Sequence, residues 1–374
     1  MMDKIQSQQA GDDSQQMQIV NCPITIVNGI DEKRAREISL EVFNTLRKEL
    51  TNEAFETAKK RVQKLENVLI PRIQKIDETF NAFSDPAFQI LLSEAQKTAA
   101  KTERLADYEL LSELLIQRME KGSDRTLRSG IDKAVEIVDD ISDEALMGLT
   151  TLFLMEACTP NTGNISKGLD ILNDIFQAVI HDELPTDIEW IDNLYINSAI
   201  RVSIISMKKY ENFFSESMLG YCSSGIKKCS VTHSKAREML KEGNLPLSIL
   251  CDHELHAKYV RLAIAHEEDI EKMTITVHNL TTSVLPINNV ISHTPLSERQ
   301  KLILHKIYAL YETNSELKQE ITQNLCTALK SRKHLNIAKE WWNNLPNAYQ
   351  ITSVGKALAY ANAKRVYPAL PSIE

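Results

Sequence analysis

Cysteine and histidine side chains that could hold a metal ion are gathered between residues 222 and 266. Structural zinc sites use four Cys or His ligands, usually arranged as two close pairs. The candidate set here is Cys222, Cys229, His233 and Cys251. The first two cysteines stand too far apart for a typical zinc knuckle, and Cys251 stands too close to His253. The spacing therefore favours incidental Cys and His residues over a zinc site, and we expect no cofactor.

Arg261 and His266 enclose the sequence RLAIAH, which has Arg-x4-His spacing. This spacing resembles the motif of ribonucleases in the helical HEPN superfamily. The resemblance implies that the two side chains share one face of a helix, bind phosphate and transfer a proton. Members of that superfamily usually have a polar residue directly after the Arg, whereas this sequence has Leu262. An HEPN-type ribonuclease that uses Arg261 and His266 is therefore an alternative function.

Motifs that mark several common enzyme classes are missing from the sequence. It contains no GxxxxGK[ST], no GxGxxG and no GxSxG. His253-Glu254-x-His256 differs from the HExxH motif of zinc proteases, because its two histidines do not share a helix face. These absences argue against NTPases, Rossmann-fold enzymes and α/β-hydrolases.

Residues 1–28 differ from the rest of the chain in composition and pattern. Gln, Asp and Ser dominate its first part, and Gly11 with its polar neighbours predicts a turn. Alternating apolar residues up to Val27 then predict two short strands separated by Pro23. Free strand edges pair with copies of themselves, and in-register Gln side chains form ladders. The segment therefore predicts self-assembly, with a loose Gln-rich terminus as the alternative. The expected assembly residues are Gln9, Gly11, Asp12, Ser14, Gln18 and Ile19.

The composition of the remaining chain predicts long helices joined by short turns. Only 11 Gly and 11 Pro occur in 374 residues, so residues that break helices are scarce. The net charge of −8 disfavours a broad nucleic-acid surface. The sequence has no apolar run long enough for a membrane span and no apolar signal core after Lys4. Its six cysteines are irregularly spaced, which is typical of a reducing compartment rather than of a disulfide framework. We therefore expect a cytoplasmic protein that does not enter membranes.

The fold class predicted from these patterns is all-α. We expect a multi-helix array with a short N-terminal β segment and, as one option, a winged-helix-like C-terminal module. The length of the chain suggests two or three structural units. Asp31 and Ser142 are predicted to cap helices, and Pro86 is predicted to lie in the first turn of its helix. Apolar periodicity predicts a long helix over Asp187–Phe214 and short helices around Asp252–Met273, and Val284–Pro295 is expected to be a polar linker. The predicted units are the strand segment 1–28, helical domains at 29–160 and 161–296, and the C-terminal module 297–374.

The C-terminal module is richer in basic residues than the rest of the chain. Residues 297–374 contain 11 Lys and Arg against 6 Asp and Glu. Three predicted helices are followed by a strand near Ile351 and a final helix, which is the element order of a winged helix. A DNA-contacting regulator is therefore a further alternative, although no helix shows the Arg, Asn or Gln cluster of a recognition helix.

Motifs near both ends of the chain resemble those of a bacterial family without an established activity. ITSVG at Ile351–Gly355 and ANAKR at Ala361–Arg365 resemble the C-terminal motif of that family. The helix GIDEKRAREISLEVF and the segment from Gly11 to Gln15 resemble its N-terminal features. The latter is similar to the Gly-Asp-Asn-Ser-Gln tags of many bacterial conflict proteins, with Asp13 in place of Asn. The resemblance supplies no catalytic residue.

Together these patterns give one leading hypothesis. We expect a self-assembling interaction protein of a bacterial conflict or antiviral defence system. It would form homo-oligomers and respond to a protein partner or trigger that the sequence does not identify. Nucleic acid is not the favoured partner.

Overall fold

A computed structural model describes residues 30–48, 50–121, 124–203, 206–279 and 290–371. Within these ranges the chain is mainly α-helical, as the sequence predicts, with short strands between some helices. The predicted assembly segment at residues 1–28 lies outside the described residues.

Helices α1 to α8 precede the first strand of the described chain. They are α1 (Glu32–Asn44), α2 (Asn52–Ile76), α3 (Pro86–Lys101), α4 (Leu105–Lys121), α5 (Arg125–Glu136), α6 (Asp143–Ala157), α7 (Ile165–Val179) and α8 (Glu189–Ile196). The later helices are α9 (Tyr210–Ser217), α10 (Leu219–Cys222), α11 (Val231–Glu242), α12 (Asp269–Lys272), α13 (Glu298–Tyr308), α14 (Ser315–Lys330), α15 (Lys333–Asn343) and α16 (Ser353–Val366). The strands are β1 (Ile200–Val202), β2 (Ile226–Lys227), β3 (Leu250–Asp252), β4 (Tyr259–Leu262), β5 (Thr274–Asn279), β6 (Val290–Pro295) and β7 (Tyr349–Ile351).

Side-chain caps predicted from the sequence begin several of these helices. Asp31 accepts a hydrogen bond from the Arg34 N–H at the start of α1, and Ser142 caps α6 in the same way. Pro86 occupies the first turn of α3, where no N–H is needed for the helix. These local signals explain why the helix starts could be located without tertiary information.

The main core is built around α16, the last helix of the chain. α16 packs against α4, α5 and α6, and its alanines allow the neighbouring helices to approach closely. A Cβ at Gly130 of α5 would lie 2.7 Å from the Ser353 carbonyl oxygen, so this crossing requires glycine. The core contains residues from Ala35 to Leu370. It therefore crosses both predicted domain boundaries, at residues 160 and 296.

A second core lies between the antiparallel sheet β2-β4-β3 and helices α11, α12 and α13. β4 is the central strand, and Val260 pairs with Ile226 of β2 on one side and Asp252 of β3 on the other. Apolar side chains such as Leu240 of α11 and Leu304 of α13 fill the space beside the sheet. The second core therefore combines elements from positions 226 to 307.

The predicted long helix over Asp187–Phe214 is wrong. α8 ends at Ile196, Ser198 adopts a left-handed backbone with φ of 57°, and the chain continues as β1. β1 pairs antiparallel with β7, with Ile200 opposite Ile351. This pairing joins segments far apart in sequence, so apolar periodicity alone could not reveal it.

The predictions for Asp252–Met273 and Val284–Pro295 are also corrected. The first range contains the end of β3, then β4 and the short helix α12, rather than helices alone. Part of the second range forms β6, which pairs antiparallel with β5, with Pro295 opposite Thr274. In both cases a non-local strand partner overrides the local pattern.

The winged-helix-like module does not form. The strand expected to be its wing is β7, whose partner is β1 rather than a strand of residues 297–374. α13 contributes Leu304 to the second core, whereas α16 lies in the main core. The elements of a winged helix would have to pack on one another, and here they belong to two different cores.

None of the helices in the described part of the chain is both long and apolar enough to cross a bilayer.

Candidate functional site

The start of α16 is fixed to the end of α8 by a short network of polar contacts. The Thr352 hydroxyl donates to the Ser198 carbonyl oxygen at 2.7 Å and accepts from the Gly355 N–H at 3.2 Å. A Cβ at Gly355 would lie 2.1 Å from the Ala199 carbonyl oxygen. Glycine is therefore required here, and the first turn of α16 has little freedom to move.

A cleft of about 320 Å³ lies beside this first turn, between α16 and helices α4, α5 and α6. We call it the α16 cleft. Its apolar lining residues are Leu127, Ile131, Phe153, Ala157, Ala357 and Tyr360. Its polar lining residues are Gln117, Lys121, Glu156, Ser353 and Lys356.

Gln117 is the most unusual residue of the α16 cleft. The residue is only 8% exposed, and its Nε2 is buried without a hydrogen-bond partner among the described residues. An unpaired buried donor costs about 1–3 kcal/mol of stability, and such groups are uncommon in native proteins. Nε2 is enclosed by protein atoms, so a bound molecule could satisfy this donor once the Gln117 amide turns towards the cleft.

Glu156 lies in the last turn of α6, at the mouth of the cleft, where the residue remains exposed to solvent. Protein atoms around the carboxyl displace water and raise its pKa to about 7, while the nearby Lys356 ammonium lowers the pKa and offsets part of this rise. A carboxyl with this pKa is present in both protonation states at neutral pH. Accessible groups with shifted pKa values are common at functional sites.

Two lysines lie at the rim of the α16 cleft. Lys121 ends α4 and Lys356 lies in the first turns of α16. Neither ammonium group forms a hydrogen bond or ion pair with any residue that the structure describes. The rim therefore offers two positive charges that have no paired acceptor among the described residues.

A second cleft of about 690 Å³ lies between residues 180–191 and α15. The Trp341 indole in its wall donates its N–H to the Pro185 carbonyl oxygen at 2.7 Å. None of the unpartnered buried polar atoms in the described residues belongs to its lining. The α16 cleft is the better candidate site because it combines apolar walls with an unsatisfied buried donor.

A protein-family model whose description names no activity matches residues 29–371. The chain belongs to this family. The match contains every residue that the structure describes, including all of the α16 cleft, and it begins directly after the Gln-rich segment 1–28. No curated protein and no solved structure matches the chain.

Most of the C-terminal motif within the family match has a structural explanation. Asn362 donates to the Thr150 hydroxyl of α6 at 2.9 Å, and its carbonyl oxygen accepts from the Arg365 guanidinium. Lys364 donates to the carbonyl oxygen of Pro368 at 2.8 Å, which holds the chain after α16. Beside these residues, Ser353 lines the α16 cleft.

The predicted catalytic residue Arg261 lies on β4 and is fully buried. One terminal nitrogen donates to the Leu262 and Ile264 carbonyl oxygens, and the other donates to Gly163 and to the Glu254 carboxylate at 3.1 Å. We call Arg261 and these partners the Arg261 junction. Both terminal nitrogens are occupied by protein acceptors, so this geometry gives no support to phosphate binding by Arg261.

The second residue of that predicted pair, His266, lies in the loop between β4 and α12. Its backbone N–H donates to the Asp269 carboxylate at 2.7 Å. Arg261 and His266 therefore do not share a helix face, which the HEPN resemblance implied. The ribonuclease prediction loses its structural basis because the segment is not helical.

The candidate metal ligands are not brought together. Cys222 is buried, whereas Cys229 is exposed and its N–H donates to the His233 ring at 3.2 Å. Burial raises the pKa of the Cys251 thiol, which disfavours the thiolate that a metal requires. Within the described ranges, no group of three or more His, Cys, Asp or Glu residues is placed to hold a metal ion.

Sequence reasoning missed Gln117 and Glu156, although each carries a signal. Gln117 follows Leu110 and Leu114 at helical spacing, so it is a polar residue on the apolar face of α4. Glu156 is an acidic residue near the C-terminal end of the apolar helix α6, where the helix dipole disfavours negative charge. A polar group that breaks an apolar face is the pattern that could have located the site.

Proposed function

We propose that this protein acts by binding and self-assembly. The helical body would bind a ligand or partner group in the α16 cleft, and residues 1–28 would gather copies of the chain. The observation that carries the binding role is the unpartnered Nε2 of Gln117 beside apolar walls. A bound acceptor would satisfy this donor and stabilise the complex.

The assembly role is supported by the pattern of residues 1–28. The segment combines a Gln-rich stretch with predicted strands that have free edges. It directly precedes the family match and helix α1, which begins at Glu32 after its Asp31 cap. An appended segment of this kind can join copies without rearranging the helical body.

The proposed setting is a bacterial conflict or antiviral defence system. This part of the proposal rests on the similarity of Gly11–Gln15 to the tags of bacterial conflict proteins. The partner or trigger would be recognised by the helical body, and homo-oligomers would form through the N-terminal segment.

Light scattering on a sizing column tests the assembly role. We expect the full chain to form a large assembly and a chain that starts at Gly29 to be smaller. Ile19→Asp places a charge in the predicted strand and is expected to reduce the mass, because identical charges would stack in register. Gln63→Glu, at an exposed position of α2 in the helical body, adds the same charge as the matched control and should leave the mass unchanged. Equal masses for the full and shortened chains would overturn the assembly role.

A further inference from the structure

The α16 cleft presents hydrogen-bond donors over an apolar floor. Gln117 has a buried Nε2 that a turn of its side-chain amide would present to the cleft, and Lys121 and Lys356 offer ammonium groups. None of these three donors is paired with a described residue. Ser353 adds a hydroxyl to the lining. Glu156 is the acidic residue of the lining, and its protonated form is itself a donor. The complementary ligand must therefore supply acceptor atoms, and negative charge is favoured.

We propose that the α16 cleft binds an amphipathic carboxylate, with the head group between Gln117, Lys121 and Lys356 and the apolar part against Ile131 and Phe153. This inference rests on the proposed role of the cleft as a binding site and names the class of its ligand. A carboxylate forms charge-assisted hydrogen bonds with lysines, and these are about twice as strong as neutral ones.

The size of the cleft limits the apolar part of the ligand. A volume of about 320 Å³ lies at the lower end of the range for small-molecule sites. It suits a medium-length alkyl chain or one large apolar side chain, and each buried methylene strengthens binding about fourfold. The same chemistry occurs in a free aliphatic acid and at the C-terminus of a peptide that ends in an apolar residue.

Glu156 provides a further argument about the head group. A carboxyl whose pKa is about 7 can be neutral beside a bound carboxylate, which avoids repulsion between two negative charges. Aspartic-protease dyads use the same principle, in which one of two neighbouring carboxyl groups retains a proton. The protonated Glu156 would then donate to the ligand, together with Gln117.

Calorimetric titration of the full chain with two probes tests the proposal and distinguishes the sources. The probes are octanoate, for a free acid, and N-acetyl-alanyl-leucine, for a peptide C-terminus. Their neutral controls are 1-octanol and the amide of the same dipeptide. We expect at least one acid to bind at one site per chain, with its neutral analogue about tenfold weaker. Neutral analogues that bind as well as the acids would overturn the proposal, as would no binding of either acid at about 10 mM.

Variants locate the binding to the α16 cleft. Gln117→Leu removes the donor at similar volume, and Lys356→Ala removes one charge; each is expected to weaken acid binding about tenfold. Ala157→Leu, at the exposed end of α6, should fill part of the cleft and also weaken binding. Lys33→Ala on α1 is the control for a lysine outside the cleft. Unchanged affinity in all three cleft variants would overturn the site assignment.

The assembly role of residues 1–28 and the ligand class of the α16 cleft are tested by different measurements, so each can fail without the other. If neither acid binds but the full chain still assembles through residues 1–28, the ligand class is wrong and the assembly role stands. If an acid binds in the cleft but the masses of the full and shortened chains are equal, the assembly role is wrong and the ligand site stands.

Discussion

The Arg261 junction and the α16 cleft both contain a buried polar side chain, but its terminal nitrogen donors are bonded to described residues only in the junction. The terminal nitrogens of Arg261 reach backbone carbonyl oxygens and a carboxylate, and its guanidinium lies 5.4 Å from the centre of the Tyr221 ring. Gln117 is nearly as buried, yet its Nε2 has no partner among the described residues. The Nε of Arg261 is also buried without a partner among the described residues. The contrast therefore lies in the terminal nitrogens, which are bonded in Arg261 and not in Gln117.

The partners of Arg261 explain its structural role. Gly163 and Glu254 both accept from the same terminal nitrogen of Arg261, and Glu254 also accepts from the Ile165 N–H at the start of α7. Ile165 belongs to the main core, whereas the neighbours of Arg261 on β4 belong to the second core. The Arg261 junction therefore connects the two cores, and its charge is balanced within the protein.

The largest expected effect is that of Arg261→Met. It removes the donors that satisfy several buried carbonyl oxygens and leaves Glu254 without its cation. Each buried carbonyl oxygen that is left unpaired costs about 1–3 kcal/mol, so the loss of stability should exceed about 3 kcal/mol. Urea denaturation should show this loss in the free energy of unfolding. Arg299→Met, at an exposed arginine of α13, is the control and should change stability by less than about 0.5 kcal/mol. A similar small effect at both positions would mean that the junction does not brace the cores.

A smaller, pH-dependent effect is expected from His253, next to the Arg261 junction. His253 is buried, its Nε2–H donates to the Ser223 carbonyl oxygen at 2.8 Å, and its Nδ1 accepts from the Leu255 N–H. Burial lowers its pKa to about 4, with the Arg261 charge as a further cause. Between this value and the ordinary pKa of 6.5, the unfolded chain binds the proton and the folded chain does not.

Stability should therefore fall as the pH is lowered from about 6.5 towards 4. At pH 5 the free energy of unfolding should be lower than at pH 7.5 by on the order of 2 kcal/mol because of His253 alone. Because other groups titrate in the same interval, the test compares the wild type with His253→Gln, which keeps a donor for the Ser223 carbonyl oxygen. The variant should lose less stability on acidification. If the stability of both proteins falls in parallel with pH, His253 is not the source of the acid sensitivity.

The sequence predicted what local chemistry decides. Asp31 and Ser142 cap helices because their side chains bond N–H groups only three residues away. The strand pair β1–β7 could not be predicted, because Ile200 and Ile351 meet only in the folded chain. The same limit applies to the candidate site. The sequence shows that Gln117 interrupts an apolar face, but only the folded structure shows that no described residue bonds its Nε2.

The Arg-x4-His motif shows the reverse case, in which the sequence suggests a site that the folded chain does not form. It suggested chemistry because its spacing resembles the motif of HEPN ribonucleases, which implies that Arg261 and His266 act together on one helix. The strand pairing of β4 removes that geometry, and the surrounding carbonyl oxygens occupy the arginine. A sequence motif carries its chemistry only when the predicted secondary structure is also present.

The smallest expected change in stability, at Gln117, gives the sharpest test of the comparison. Gln117→Leu removes a donor without a partner and keeps a similar volume, so the free energy of unfolding should stay the same or rise by up to about 1 kcal/mol. Gln96 provides a matched control on α3. It is also buried, but its Nε2 donates to both the carbonyl oxygen and the hydroxyl of Ser39, at 3.0 and 2.9 Å.

Gln96→Leu should therefore destabilise the protein by about 1–3 kcal/mol, because it removes two buried hydrogen bonds to Ser39. Urea denaturation of both variants, without added ligand, measures the difference. If Gln117→Leu proves as destabilising as Gln96→Leu, then Gln117 makes structural hydrogen bonds in solution and its donor is not reserved for a ligand. If Gln117→Leu is neutral while acid binding weakens, the residue contributes to binding and not to folding, which is the difference between the α16 cleft and the Arg261 junction.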